Sequence, residues 1–163
     1  MQSDTLLTCG RLLIDQKLTI AFAESATAGR MASEFSLVPD AGKFLIGGLV
    51  CYDACLKEQL LKVPEELIKN LTPESMEVTM AIAIGLEKLI PASLHIGITG
   101  LTSSGGSETP EKPVGTMFIH ALLQGKALFS DRILFQGSPE EIIKQTIEYT
   151  ALSLINSLRQ EQC

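Results

Sequence analysis

Three residues of this 163-residue chain combine side chains and positions that suit nucleophilic chemistry: Ser25, Tyr52 and Lys57. Ser25 follows a short apolar run and precedes small residues, so it sits where a strand delivers the chain into a helix. There its hydroxyl and the first free backbone N–H groups face the same space, a setting that suits a phosphate or a developing oxyanion. A serine at a helix start is also a common N-cap, and that plainer reading stays open at this level. Tyr52 and Lys57 bracket the end of another strand and the start of its following helix. Either accepts a proton from a nearby serine if burial lowers the relevant pKa, replacing the histidine of a Ser-His-Asp triad. A Tyr at a sheet edge and a solvated helix Lys are the alternatives. His95 lies in an apolar strand and His120 in a hairpin, neither with an acidic partner in sequence, and both read as satisfied core or edge residues. The stretch Thr99-Gly100-Leu101-Thr102-Ser103-Ser104-Gly105-Gly106 suits a loop whose backbone wraps a phosphate. It matches neither a P-loop nor a dinucleotide fingerprint, and a mobile surface loop is its plainer reading.

The elements that must position these residues are legible from periodicity. Leu6, Leu7, Leu12, Leu13 and Ile14 recur at helical spacing over residues 4–16, with Ser3 or Asp4 as N-cap. Leu18 to Ala23 reads as a buried strand, and Glu24 to Arg30 opens a second helix reaching Phe35. Phe44 to Tyr52 reads as a strand in which Gly47-Gly48 marks a bulge or a close backbone approach. A short helix over 54–61 follows, and Pro64 starts another at its first position. Thr72 as N-cap and Pro73 as the first helical residue predict the longest helix, running to Leu89. Leu94 to Thr99 is a strand, and the segment 100–113, with three glycines and two prolines, is a long loop of the kind that is often functional. Residues 114–123 and 126–135 form a hairpin turning at Gln124-Gly125, and a terminal helix runs from Pro139 to Arg159. The alternation predicts one domain over residues 1–163: a three-layer α/β/α fold with a mixed sheet of about five strands.

Composition limits the functions open to this fold. A chain of this length buries roughly 70% of its unfolded surface. The hydrophobic share of 45% with only 5% aromatics implies a core of Leu, Ile, Val and Ala. A net charge of −6 and no basic run disfavour nucleic acid, which needs cations to displace counterions. Cys9, Cys51, Cys55 and Cys163 form no CxxC and have no His at ligand spacing, so reduced thiols without a metal are expected. The N-terminus lacks the pattern of a signal peptide, and the apolar stretches are too short to span a bilayer, so a cytoplasmic protein with no membrane partner is expected.

Several ordered motifs resemble the C-terminal domain of the CinA (competence/damage-inducible) family over residues 5–158. Residues 23–29 (AESATAG) resemble the family's AESCTGG. Gly47-Gly48 through Tyr52 with Lys57 resembles GGxxxYxxxxK, Thr99-Gly100 opens a TGIAGPxGG-like loop, and residues 109–116 match TPEKPVGT throughout. The resemblance implies hydrolysis of the carboxamide of nicotinamide mononucleotide, giving nicotinate mononucleotide and ammonia, without metal or cofactor and in a homo-oligomer. It implies Ser25 as nucleophile and Tyr52 and Lys57 as proton-handling and orienting groups. The substrate surface it implies comprises Glu24, Thr27, Gly48, Thr99, Gly100, Gly105 and Gly106. The chain departs from the family at Ala26, Ala28 and Thr102-Ser103-Ser104. It also lacks the late arginines, leaving Lys144 as a point charge without a bidentate fork. These departures carry a second expectation, a catalytically silent relative that keeps the fold and a ligand pocket.

Overall fold

In the computed structural model, which describes residues 3–161, the apolar run ahead of Ser25 forms strand β1 (Ile20–Glu24), buried along its whole length. It must therefore be covered on both faces. Its side chains alternate accordingly. Ile20 and Phe22 enter one core with Leu13, Met31, Phe35 and Leu154, whereas Ala21 and Ala23 enter another with Leu61, Val78, Ile82 and Leu86.

Around β1 the sheet runs in the order β2-β1-β3-β4-β5, with β2 at Leu45–Val50, β3 at Leu94–Gly100, β4 at Thr116–Leu123 and β5 at Lys126–Leu134. β1 pairs parallel with β2 and β3, and β3-β4-β5 is antiparallel, giving the mixed five-stranded sheet expected from the sequence. Helices α1 (Asp4–Asp15), α2 (Arg30–Ser36) and α6 (Pro139–Gln160) cover one face. Helices α3 (Ala54–Gln59), α4 (Glu65–Leu71) and α5 (Met76–Leu89) cover the other. The first two crossovers run in opposite directions along the sheet, from β1 to β2 and then from β2 past β1 to β3, so right-handed connections place α2 and α5 on opposite faces. Ser25, Tyr52 and Gly100 all fall at the carboxyl ends of parallel strands, where open α/β sheets bind ligands.

Three boundaries differ from expectation. α2 begins at Arg30, because residues 25–29 form a turn with Ala28 at φ +48° and Gly29 at φ +93°. α5 begins at Met76 and is capped by Ser75, whose hydroxyl accepts from the Val78 N–H. Thr72 sits at φ +68° and donates its hydroxyl to the Glu74 carbonyl, so residues 72–75 turn before the helix can start. Pro64 is the N-cap of α4 instead of its first residue. α6, with 22 residues against 14 in α5, is the longest helix, and it starts on a capping box between Ser138 and Glu141.

Cys9, Cys51 and Cys55 are unpaired thiols, and Cys163 lies outside the described residues. Among the described residues no helix is long and apolar enough to cross a membrane.

Of the two readings offered for Gly47-Gly48, the close backbone approach holds at Gly48, and the bulge falls one residue before the pair, at Ile46. The β1-β2 register slips between Ile20 and Ala21, Gly47 adopts φ +144°, and a Cβ on Gly48 would stand 2.5 Å from the Phe22 carbonyl oxygen. Gly48→Ala must therefore push the two strands apart, and stability should fall by about 1–3 kcal/mol with the fold retained. Denaturant unfolding reads this directly, and an unchanged midpoint would mean that β2 has room to spare.

Candidate active site

Ser25 is the first residue beyond β1, and its N–H donates to the Ile98 carbonyl of β3 at 3.0 Å. This extra rung of sheet fixes the serine backbone before the chain turns away. Across the β1-β2 pair, the Cys51 N–H donates to the Glu24 carbonyl at 2.8 Å, which brings the end of β2 beside Ser25. Asp53 then caps α3, its carboxylate accepting from the Cys55 N–H at 2.8 Å, and one helical turn later Lys57 points back under the strand ends.

The side chain of Lys57 is fully buried, at 0% exposure. Its Nζ donates to the Cys51 carbonyl at 2.7 Å, the Tyr52 carbonyl at 3.3 Å and the Ser25 Oγ at 3.0 Å. Burial pushes the amine below the ordinary lysine range, and the nearby Glu74 and Asp53 carboxylates offset only part of that. The three partners serve both protonation states. An ammonium donates to all three. A neutral amine keeps two N–H bonds to the carbonyls and turns its lone pair toward Ser25, whose hydroxyl then donates. Beside it, burial also pushes the Cys51 thiol up, so no thiolate competes for the proton.

A cleft of about 320 Å³ opens above Ser25, lined by Tyr52, Glu74 and the loop from Gly100 to Gly106. Tyr52 is 63% exposed and meets Lys57 through its carbonyl, so its ring belongs to the rim of the cleft. Thr99 lies beneath the loop, its Oγ1 2.8 Å from that of Thr79 on α5. Lys112, in the Thr109–Thr116 motif, ties the far end of the loop down. Its Nζ donates to Thr72 Oγ1 at 2.6 Å, the Glu74 carbonyl at 2.9 Å and Ser107 Oγ at 2.9 Å, while Ser107 donates to Glu74 Oε2.

Other expected substrate residues lie elsewhere. Glu24 is buried, and both carboxylate oxygens are occupied: Oε2 accepts from Thr27 Oγ1 (2.6 Å) and from the N–H groups of Gly29 and Met31 (3.0 Å each), and Oε1 from the Ala32 N–H (2.8 Å). The free N–H groups expected to face Ser25 at the start of α2 are thus filled by Glu24, and Thr27 serves the same turn. Gly48 meets the backbone of β1. Lys144 projects from α6, in the layer across the sheet, and pairs with Glu140 at 3.2 Å on the surface. His95 Nε2 bonds the Ile90 carbonyl at 2.7 Å and His120 Nδ1 bonds Ser130 at 2.5 Å, both away from the cleft. Among the described residues no cluster of His, Cys, Asp or Glu is arranged to hold a metal ion. Glu74 and Lys112 escaped sequence reasoning, the first because residues 72–75 read as a helix cap. A lysine between two prolines in the loop motif over residues 109–116 was the available signal for the second.

The description CinA C-terminal domain matches residues 3–158 of the chain. A competence-damage inducible protein of Desulforudis audaxviator is 34% identical over 155 residues, covering 95% of this chain and 37% of that protein. A CinA-like protein of Thermotoga maritima is 43% identical over 109 residues, covering 67% of this chain and 26% of that protein. The chain thus spans well under half the length of these relatives. Among solved structures, a CinA superfamily protein from Klebsiella pneumoniae superposes with a TM-score of 0.91 at 24% identity, covering 96% of this chain and 97% of that one, a likeness of fold. One from Escherichia coli gives 0.85 at 25% identity, covering 95% and 92%.

Glu24→Gln tests the assignment of that carboxylate to the turn. The amide keeps one acceptor oxygen and places a donor against backbone N–H groups, so stability should fall by at least about 1.5–3 kcal/mol, the worth of one charge-assisted bond. A variant that melts with the parent would show that the carboxylate does not hold the turn.

Proposed function

Because the chain belongs to the CinA C-terminal domain family, we propose that it is an amidohydrolase whose nucleophile is Ser25, deamidating nicotinamide mononucleotide to nicotinate mononucleotide and ammonia. The observation that carries this reading is the 3.0 Å contact between Ser25 Oγ and the fully buried Lys57 Nζ. A lysine serves as a general base only when its neutral form is accessible, and desolvation makes it so.

In this mechanism neutral Lys57 takes the hydroxyl proton as Ser25 Oγ bonds to the carboxamide carbon. The resulting ammonium returns that proton to the amide nitrogen, the C–N bond breaks, and ammonia leaves an ester on Ser25. Water then attacks the ester carbon, Lys57 accepts its proton and passes it to Oγ, and the carboxylic acid is released. The Cys51 and Tyr52 carbonyls hold the amine in place through both halves. The Tyr52 ring, on the rim, bounds the space the substrate fills. Homo-oligomeric assembly, which rests on the family resemblance, and a cytoplasmic setting, which rests on the sequence pattern, belong to the same proposal.

Ammonia release from nicotinamide mononucleotide tests the reading, and Ser25→Ala should abolish it while leaving the unfolding midpoint nearly unchanged. Turnover that survives this change removes Ser25 as nucleophile, whereas a parent protein that releases no ammonia favours the catalytically silent relative.

Lys57→Met should cost at least about 10²-fold in rate. In the parent, kcat/KM should rise with pH as the ammonium deprotonates, with a midpoint below the ordinary lysine range, because burial lowers that pKa. The limb should vanish in the variant. A loss below about threefold would remove Lys57 as the base.

A further inference from the structure

The two places in this chain best suited to bind an anion near the cleft are already filled by its own carboxylates. Glu24 takes the N–H groups of Gly29, Met31 and Ala32. Within the glycine loop the Gly105 N–H donates to Glu108 Oε1 at 2.7 Å, and this bond holds the Glu108 carboxyl below the usual carboxylate range. A phosphate arriving at that loop meets an anion in residence instead of open N–H groups. Lys144 lies across the sheet, and no lysine or arginine lines the cleft among the described residues.

Of the residues that line the cleft, Glu74 alone is charged, beside the exposed ring of Tyr52, while Lys57 lies buried behind Ser25 and Lys112 reaches Ser107 and the Glu74 carbonyl from outside the lining. Glu74 is not free to swing away. Its Oε2 accepts from Ser107, which Lys112 holds, and Lys112 also grips the Glu74 carbonyl and Thr72. A fixed carboxylate and an aromatic ring in one cleft favour a cation, the first by Coulomb attraction and the second through its π face. The overall charge of −6 adds to the field against a phosphate.

Resting on the proposed amidohydrolase reading, we infer that Glu74 is the specificity-determining residue of this site, selecting carboxamides on a positively charged, N-substituted pyridinium ring, and that a phosphate on the substrate contributes little. The substrate class is then the pyridinium nucleoside as much as its mononucleotide. The ring of nicotinamide riboside carries the charge without a phosphate, and reduction to the dihydropyridine removes the charge while keeping the carboxamide and the sugar. Ser107 and Lys112 are positioning residues that aim Glu74.

Calorimetric titration of the Ser25→Ala protein, with Glu74 or with Glu74→Gln, reads binding without turnover. The ligands are nicotinamide mononucleotide, nicotinamide riboside and the reduced riboside. With Glu74 present, the mononucleotide and the riboside should bind within about threefold of each other and the reduced riboside about tenfold more weakly, the effect of one charge contact of about 1.4 kcal/mol. Glu74→Gln, which keeps an acceptor for Ser107, should erase the difference between the charged and neutral rings. A mononucleotide more than about tenfold tighter than the riboside overturns the inference, because a phosphate anchor then exists. So does a charged-ring preference that survives Glu74→Gln, or an absence of binding by all three ligands. Ammonia release by the parent protein separates this failure from that of the underlying reading. Release without ring-charge discrimination sinks only the role of Glu74, whereas discrimination in binding without release sinks only the hydrolytic step.

Discussion

An amine with no access to water has to find its hydrogen-bond partners inside the protein, and the arrangement of Lys57 imposes that requirement on the whole upper edge of the sheet. Two of its acceptors are main-chain carbonyls at the end of β2 and the third is the hydroxyl that ends β1. They converge only if the two strands run parallel, end level and are followed at once by a helix that turns back. The rung from Cys51 to Glu24 keeps the ends level, and the Asp53 cap starts α3 in time. The same burial that demands three partners also depresses the affinity of the amine for its proton. Structural constraint and chemical competence therefore have one cause.

A second buried charge shapes the other side of the serine. Glu24 closes the turn over residues 25–29 and neutralises the start of α2, so Ser25 leaves the sheet on a loop held from within. An isolated carboxylate at this depth would be costly, and four donors offset the cost. The consequence for function is that the helix dipole is spent on the fold and does not face the cleft. Ala28 adopts φ +48° in this turn, a conformation a glycine would hold without strain.

Much of this was legible in the sequence because it depends on local pattern. The buried strand before Ser25, the close backbone approach at Gly48, the Gln124-Gly125 hairpin and the start of the terminal helix at Pro139 follow from periodicity, capping and turn chemistry. The mixed sheet follows from the order of elements. The misplaced starts of α2 and α5 share a physical origin: a side-chain hydrogen bond, accepted by Glu24 in one case and donated by Thr72 in the other, redirects backbone that propensity alone assigns to helix. Glu74 and Glu108 were invisible because their roles arise from contacts with the loop over 100–113, which has no periodicity to read. The resemblance to the CinA family named Ser25, Tyr52 and Lys57 together. The bonds of Lys57 to two carbonyls and the occupied state of Glu24 required coordinates.

The central claim is that Lys57 is buried, hydrogen-bonded to Ser25 and available as a neutral amine, and selective isotope labelling of lysine side chains with NMR titration measures that property at its source. The resonance assigned by its absence from Lys57→Met should titrate clearly below the other lysines, and in Ser25→Ala it should titrate at a changed pH because one of its three partners is gone. A Lys57 resonance that titrates together with the surface lysines, and is indifferent to Ser25→Ala, would contradict the account.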